Sequence, residues 1–315
     1  MPHLSDTKRR DLLRLMSVGG VVFMSSVLRG VTGCSSSATA NERSAPPAGI
    51  ARGAAEDFFF LQISDTHWGF SGAMVNPDSA TELPNAVATI NQSAVQPDFI
   101  VFTGDLTHNS DDVTVRRQRM QEFQQIVGGL QAPVRFMPGE HDAAADAGAT
   151  YREFFGASQY SFDHKGVHFI ALDNVSDPMA NLGPAQLEWL SRDLAALDVE
   201  TPIVVLAHRP LWSLKAEWDW NTPDGQQAID LLLPFHNVTV FFGHIHQELN
   251  HETGHISHHS ARSLMFALPT PETAGQRAPI PWDPAHPNAG LGYRVVEATT
   301  TTQMYQLTEH FVGEV

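Results

Sequence analysis

Five short segments of this chain place carboxylates or histidines directly after apolar runs. They lie at residues 65–67, 104–105, 139–142, 208–209 and 243–246. Asp and His are ligands for divalent and trivalent first-row metals, and a neighbouring glycine lets the backbone approach an ion closely. Any one segment has many chance matches, but five in series form a specific signal. We therefore predict that the five segments converge on one site that binds two metal ions.

The elements that carry these segments alternate between strands and helices. Apolar runs of strand length occupy residues 57–64, 98–103 and 134–137, and amphipathic helical patterns occupy residues 81–96 and 114–130. This βαβαβ order predicts an α/β fold with a largely parallel sheet and its functional residues at one edge. A hairpin is predicted at residues 159–172 and a helix at 184–197. Two more buried strands are predicted at residues 202–207 and 238–242, and two antiparallel closing strands at 291–297 and 303–308.

Length and charge narrow the class of protein. A chain of 315 residues with 42% hydrophobic residues can bury a substantial core, and we predict one folded domain over residues 57–315. The formal net charge of -16 argues against a basic nucleic-acid groove, so no nucleic-acid partner is expected. An anionic substrate would need locally fixed positive charge, which bound metal ions would supply.

Residues 1–33 have the features of an export signal. Lys8, Arg9 and Arg10 precede a mildly apolar run that is too short and too rich in Gly and Ser to be a convincing membrane span. The paired arginines favour the twin-arginine export machinery, which carries folded proteins and would suit an enzyme loaded with its metals in the cytoplasm. The alternative is a frayed cytosolic helix with chance arginines. We expect an exported protein, periplasmic or on the outer surface.

Two cleavage positions are compatible with this signal. Residues 31–34 resemble a lipobox, which would make Cys34 a lipidated N-terminus and its lipid the only contact with the membrane. Residues 38–40 fit ordinary signal peptidase equally well, and Arg29 counts somewhat against the lipobox. Cys34 is the only cysteine, so an internal disulfide is excluded. Residues 34–56 are rich in Ser, Ala, Gly and Pro and are predicted to form a flexible tether.

The five segments together resemble the sequence blocks of the calcineurin-like metallophosphoesterase superfamily, over roughly residues 58–246. The resemblance implies a sandwich of two mixed β-sheets flanked by helices. It also implies hydrolysis of a phosphate ester by a hydroxide shared between two metal ions, which would be iron, manganese or zinc. The first block and His108, which stands where purple acid phosphatases carry a tyrosine, argue against a purple enzyme.

The resemblance implies a role for each matching residue. Six would be metal ligands. The first metal would be held by Asp65, His67 and His246, the second by His208 and His244, and Asp105 would bridge the two. His141 would be the general acid that protonates the leaving oxygen, because a histidine beside the metals has a pKa suited to delivering a proton at neutral pH.

Position 140 departs from the family, whose third block normally has an asparagine there. Glu140 could bind the second metal as a carboxylate, which would raise the charge of the protein ligands from -2 to -3. Carboxylates are harder ligands that favour iron or manganese, and the added charge would weaken the Lewis acid. The alternative is that Glu140 swings away and water takes its place.

Several other side chains have two readings each. His108 could face the substrate or hydrogen-bond within its loop, and Arg209 could bind a phosphate oxygen or form a surface ion pair. Packing is favoured over substrate stacking for three tryptophans, Trp212, Trp218 and Trp220. A polar strand or loop is favoured over a further metal site for four histidines, His251, His255, His258 and His259.

The leading function is metal-dependent hydrolysis of a small phosphomonoester or phosphodiester, which share the same metal ligands. A second class is a non-catalytic or weakly active metal-binding surface protein on a phosphoesterase scaffold altered at Glu140. A third class, a structural surface lipoprotein, would leave the ordered ligand segments unexplained.

Overall fold

Two mixed β-sheets packed face to face form the body of the chain. The computed structural model describes residues 54–72, 74–300 and 305–311, together with the two-residue strand Val22–Phe23. Apart from that strand, the predicted export signal, Cys34 and most of the tether lie outside the described residues. Within the part described, no helix is both long and apolar enough to cross a membrane.

Twelve strands and six helices are named here in chain order. The strands are β1 Val22–Phe23, β2 Phe58–Ile63, β3 Phe99–Thr103, β4 Val134–Met137, β5 Tyr160–His164, β6 Val167–Ala171, β7 Ile203–Leu206, β8 Val238–Phe242, β9 Leu249–Thr253, β10 Ile256–Ser260, β11 Gly292–Ala298 and β12 Gln306–Phe311. The helices are α1 Glu82–Gln92, α2 Val113–Val127, α3 Glu140–Ala143, α4 Ala149–Phe155, α5 Gly183–Leu194 and α6 Gly225–Leu232.

Each sheet combines parallel and antiparallel pairs. The first has the order β1-β12-β11-β2-β3-β4, in which β2, β3 and β4 run parallel and β11 and β12 close the sheet antiparallel. The second has the order β5-β6-β7-β8-β10-β9, in which β6, β7, β8 and β10 are parallel between two antiparallel edge strands. The predicted sandwich of two mixed sheets is therefore confirmed.

The core between the sheets is rich in phenylalanine. Phe60 and Phe99 of the first sheet stack with ring centroids 5.1 Å apart. Phe169 and Phe241 of the second sheet meet Phe60 edge-on, each at 5.7 Å. Helices α1 and α2 cover the outer face of the first sheet, and α5 and α6 cover that of the second. Strands buried on both faces explain why β2 and β3 read as continuous apolar runs in the sequence.

The sequence predicted most elements to within a few residues but missed six. These are the strands β1, β9 and β10 and the helices α3, α4 and α6. Strands β9 and β10 pair as a hairpin. Of the four clustered histidines, His251, His258 and His259 lie on the strands of that hairpin and His255 lies in its turn, as the interpretation of a polar strand or loop expected. Trp218 and Trp220 are buried against Phe242, as the packing reading expected.

Candidate metal centre

The predicted ligands converge at the ends of parallel strands. Loops after β2, β3 and β4 in the first sheet meet loops after β7 and β8 in the second. Two groups of side chains each bring three ligand atoms within 4.8 Å of one another: Asp65, His67 and His246 in the first group, and Glu140, His208 and His244 in the second. These groups match the two sets of ligands that the family resemblance implies.

Asp105 lies between the two groups. Its Oδ2 atom is 3.5 Å from His67 Nε2 and 3.5 Å from His208 Nε2, one histidine from each group. Within the first group, His246 Nε2 lies 3.1 Å from His67 Nε2 and 3.3 Å from Asp65 Oδ1. The position of Asp105 is the one that a bridging ligand requires.

Glu140 points into the second group rather than away from it. Its Oε2 atom is 2.9 Å from His208 Nε2, and its Oε1 atom is 2.9 Å from His244 Nδ1. Glu140 Oε2, His208 Nε2 and His244 Nδ1 are buried and have no hydrogen-bond partner among the described residues. Glu140 is the first residue of α3, and this short helix begins directly after the turn at the end of β4.

Backbone carbonyls accept hydrogen bonds from the outer ring nitrogens of three predicted ligand histidines. His208 Nδ1 lies 2.7 Å from the carbonyl of Thr103, and His246 Nδ1 lies 2.7 Å from that of Phe266. His244 Nε2 lies 3.0 Å from the carbonyl of Asp219. A carbonyl can only accept, so each outer ring nitrogen carries the proton. The inner nitrogens therefore turn toward the carboxylates, which is the arrangement of ligating histidines in metal sites.

The charges in the site call for a cation between these atoms. Burial tends to raise the pKa of Glu140, but His244 and His208 hold it well below its usual range, so the carboxylate is ionised. Burial lowers the pKa of His244, and Glu140 opposes this shift. Burial also lowers the pKa of His208, yet Asp105 and Glu140 raise it well above its usual range overall. His208 thus takes a proton where a metal would otherwise bind.

The carboxylate oxygen Glu140 Oε1 and the buried His244 Nδ1, which face one another at 2.9 Å, fit a metal ion. Carboxylate oxygens and imidazole nitrogens suit iron, manganese and zinc alike, so the donor set does not choose among them. Metal binding at this site would displace the proton on His208.

The backbone of the site is held in an unfavourable conformation. Five ligand residues have positive φ angles, between 40° and 67°: Asp65, His67, Asp105, His244 and His246. Non-glycine residues seldom adopt this left-handed region, which costs about 1–3 kcal/mol per residue and is concentrated at functional sites. Surrounding hydrogen bonds hold the conformation, such as those from the amide of His244 to both oxygens of Asp65 at 3.1 Å.

At two positions only glycine fits, because any side chain would clash with neighbouring atoms. A Cβ atom on Gly139 would lie 2.1 Å from Asp105 Oδ1, and one on Gly243 would lie 2.1 Å from Ser64 Oγ and 2.7 Å from Asp65 Oδ2. Neither glycine has a positive φ angle, so close approach alone explains them. This agrees with the role that the sequence assigned to glycines beside the ligands.

Asp142 joins two of the ligand loops. Its carboxylate accepts hydrogen bonds from the amides of Leu106, Thr107 and Gly139 and from the Thr107 hydroxyl, at 2.8–3.0 Å. Burial, followed by the charge of Asp105, raises the pKa of Asp142 to about 7, and these donors oppose the rise. The loop after β3, which carries Asp105, is thereby fixed to the loop after β4.

His141 lies at the edge of the ligand cluster and is partly exposed. The amide of Asn109 donates to its Nδ1 at 3.3 Å, which leaves the proton on Nε2. His141 Nε2 is 4.0 Å from Asp105 Oδ2. His108 stacks on His141 with centroids 4.5 Å apart, and its Nδ1 is 3.3 Å from His67 Nδ1. Burial, followed by His141, lowers the pKa of His108 to about 4, so His108 is neutral beside the site.

Three contacts at the site were not found from the sequence. Phe266 supplies the carbonyl behind His246 and packs its ring 4.3 Å from that histidine. Arg209 is largely buried, with Nε 3.8 Å from Glu140 Oε2, so it is not a surface ion pair. Arg277 places Nη2 3.6 Å from Glu140 Oε1. Phe266 and Arg277 lie between β10 and β11, where no periodic pattern or motif marks them.

A two-sheet sandwich with carboxylate and imidazole ligands at its strand ends defines a class of metal-dependent hydrolases. Residues 60–248 match the family model described as calcineurin-like phosphoesterase. The chain belongs to the calcineurin-like phosphoesterase family and is a metallophosphoesterase.

Relatives and solved structures agree with this assignment. The chain is 27% identical over 267 residues to the 3',5'-cyclic adenosine monophosphate phosphodiesterase CpdA of Escherichia coli K12, covering 79% of this chain and 90% of that protein. It is 29% identical to the cAMP/cGMP dual specificity phosphodiesterase MT0825 of Mycobacterium tuberculosis, covering 62% and 63%. A dimetal phosphatase from Danio rerio shares the fold, with a TM-score of 0.56, 15% identity and coverage of 80% and 98%.

Proposed function

We propose that this protein hydrolyses a small phosphodiester at a dinuclear metal centre, and that cyclic nucleotides are the first substrates to test. The contact that carries the proposal joins Glu140 Oε1 to His244 Nδ1, which are 2.9 Å apart, with His244 Nδ1 buried and without a hydrogen-bond partner. A metal ion bound by both atoms would make this contact favourable. The preference for a diester over a monoester is supported by the relatives, several of which are named as cyclic nucleotide phosphodiesterases.

The two ligand groups divide the seven predicted ligands between two ions. The first would be held by Asp65, His67 and His246, the second by Glu140, His208 and His244, and both by Asp105. When bound, two such ions supply a nucleophile at neutral pH and neutralise charge on the attacking and leaving oxygens. The carbonyl behind each of three histidines keeps its inner nitrogen free for this role.

His141 supplies the proton for the leaving group. Its Nδ1 accepts from the Asn109 amide, so Nε2–H is the group that can donate. As the phosphorus–oxygen bond to the leaving group breaks, this proton passes to the leaving oxygen. A positioned general acid of this kind contributes roughly 10²- to 10⁴-fold to the rate.

The experiment compares leaving groups of different basicity. The full chain would be purified, its metals measured by elemental analysis, and hydrolysis assayed with cyclic AMP, aryl phosphates and bis-aryl phosphates. We expect His141→Ala to lower kcat by about 10²- to 10⁴-fold for phenyl esters and much less for nitrophenyl esters, because nitrophenolate leaves without a proton. His286→Ala, at an exposed histidine, is the matched control.

Two outcomes would contradict the proposal. Equal losses for phenyl and nitrophenyl esters would remove His141 as the acid. An absence of turnover with iron, manganese and zinc would favour a non-catalytic metal-binding protein instead.

A further inference from the structure

The carboxylate of Glu140 lies between two histidines and two arginines. Oε1 is 2.9 Å from His244 Nδ1 and 3.6 Å from Arg277 Nη2. Oε2 is 2.9 Å from His208 Nε2 and 3.8 Å from Arg209 Nε. Each oxygen therefore has one imidazole and one guanidinium within 4 Å.

Arg277 reaches this position from outside the part of the chain that matches the family. The match ends at residue 248, whereas Arg277 lies between β10 and β11. Its Nη1 donates to the carbonyl of Trp218 at 2.8 Å and lies 3.5 Å from His244 Nε2. This anchor fixes the guanidinium beside the second ligand group, although its side chain is 29% exposed.

The positive charges of Arg209 and Arg277 offset the negative charge that Glu140 adds. Asp65, Asp105 and Glu140 contribute -3, one more negative charge than a centre with asparagine at position 140. The guanidinium groups of Arg209 and Arg277 bring the total to -1 (-3 + 2). A more negative set of ligands holds cations more tightly, but it makes the metal-loaded centre attract an anionic phosphate ester less strongly.

We propose that Arg277 is a positioning residue that offsets the charge of Glu140, so that the metal-loaded centre attracts an anionic substrate more strongly. The proposal rests on the proposed function, because it assumes metals in the two ligand groups. It predicts opposite effects on two affinities. Removal of the Arg277 charge strengthens metal binding and weakens phosphate binding, whereas removal of the Glu140 charge does the reverse.

A purely structural role for Arg277 would give a different pattern. If its hydrogen bond to Trp218 only held the loop in place, its loss would disorder the ligands. Metal and phosphate affinities would then both fall. Neutralising Glu140 would not restore either of them.

The experiment uses Arg277→Met, Glu140→Asn and the double variant of the full chain. Mn²⁺ affinity and inorganic phosphate affinity of the manganese-loaded protein are measured by calorimetry, with thermal unfolding as the check on folding. We expect Arg277→Met to tighten Mn²⁺ binding and weaken phosphate binding, each by roughly two- to tenfold, as for a partly exposed charge pair. Glu140→Asn shifts both the other way, and the double variant returns to within about threefold of wild type.

The control is Arg192→Met, which removes the same charge from an exposed pair with Glu188 on α5 and should change neither affinity. A parallel loss of both affinities in Arg277→Met, or a double variant no closer to wild type than the single variants, would overturn the inference. If wild type binds no Mn²⁺, the proposed function fails instead.

Discussion

Replacing Asp142 with asparagine tests how the site is held together. The carboxylate is buried and accepts four hydrogen bonds, two on each oxygen. Oδ1 accepts from the Thr107 amide and hydroxyl, and Oδ2 accepts from the amides of Leu106 and Gly139. Asparagine has one acceptor oxygen and one NH₂ group. If the NH₂ group faces Thr107, the hydroxyl can accept from it, so at least one backbone N–H, that of Thr107, would meet another donor.

The expected loss follows from the count of broken hydrogen bonds. A buried donor left without a partner costs about 1–3 kcal/mol, so the variant should lose at least that much. Domains are stable by only about 5–15 kcal/mol, so this loss is a measurable part of the stability. Stability should be measured at pH 8, because the pKa of Asp142 is raised to about 7 and its carboxylate must be ionised in the wild-type protein.

Unfolding in urea with EDTA present measures the free energy of unfolding without a contribution from bound metal. Thr107→Val is the control, because it removes only the hydroxyl hydrogen bond at 3.0 Å and should cost about 0.5–1.5 kcal/mol. If Asp142→Asn cost no more than Thr107→Val, Asp142 would not be what fixes the two ligand loops to each other.

Two further predictions concern space and charge. Gly139→Ala should abolish metal binding, since its Cβ would lie 2.1 Å from Asp105 Oδ1, and elemental analysis would measure the loss. The control is Gly275→Ala, whose Cβ meets no atom within 4 Å and which should bind metal normally. Burial, followed by the charge of His251, lowers the pKa of His258 to about 3. Between about pH 6.5 and 3 the unfolded chain therefore binds more protons than the folded chain. The free energy of unfolding consequently falls as the pH falls through this range. His258→Leu should therefore reduce the loss of unfolding free energy between pH 7 and 5 by about 2 kcal/mol, and an unchanged loss would contradict a buried neutral His258.

The sequence predicted which segments converge because the predicted ligands follow apolar strands. β2 and β3 are buried on both faces, so both are largely apolar, and the polar residues that follow mark the strand ends. Parallel pairing then brings those ends to one edge, which a reader of the sequence can infer without coordinates. Spacing alone gave Asp105 no particular role, and the bridging role came from the family resemblance. The equal distances of 3.5 Å from Asp105 to His67 and His208 place it between the two groups.

Other parts of the site depend on contacts that leave no local pattern. The carbonyls of Thr103, Asp219 and Phe266 orient the ligand histidines, and a backbone carbonyl has no sequence signature. The helix α6 is only eight residues long and follows a Pro- and Gly-bounded stretch, so its apolar face was not recognised. Arg277 is a single cation in a segment without periodicity.

Glu140 shows why a departure from a family cannot be judged at one position. Taken alone, a carboxylate in place of an amide adds negative charge to the centre and could be read as damage to the enzyme. The fold places two guanidinium groups against that carboxylate, one next to a ligand and one from a segment beyond the family match. The extra charge is thus matched by charges distant in the sequence. Glu140 is therefore better understood as part of a group with Arg209 and Arg277 than as a lost asparagine, and substitutions at 140 should be interpreted only together with changes at 277.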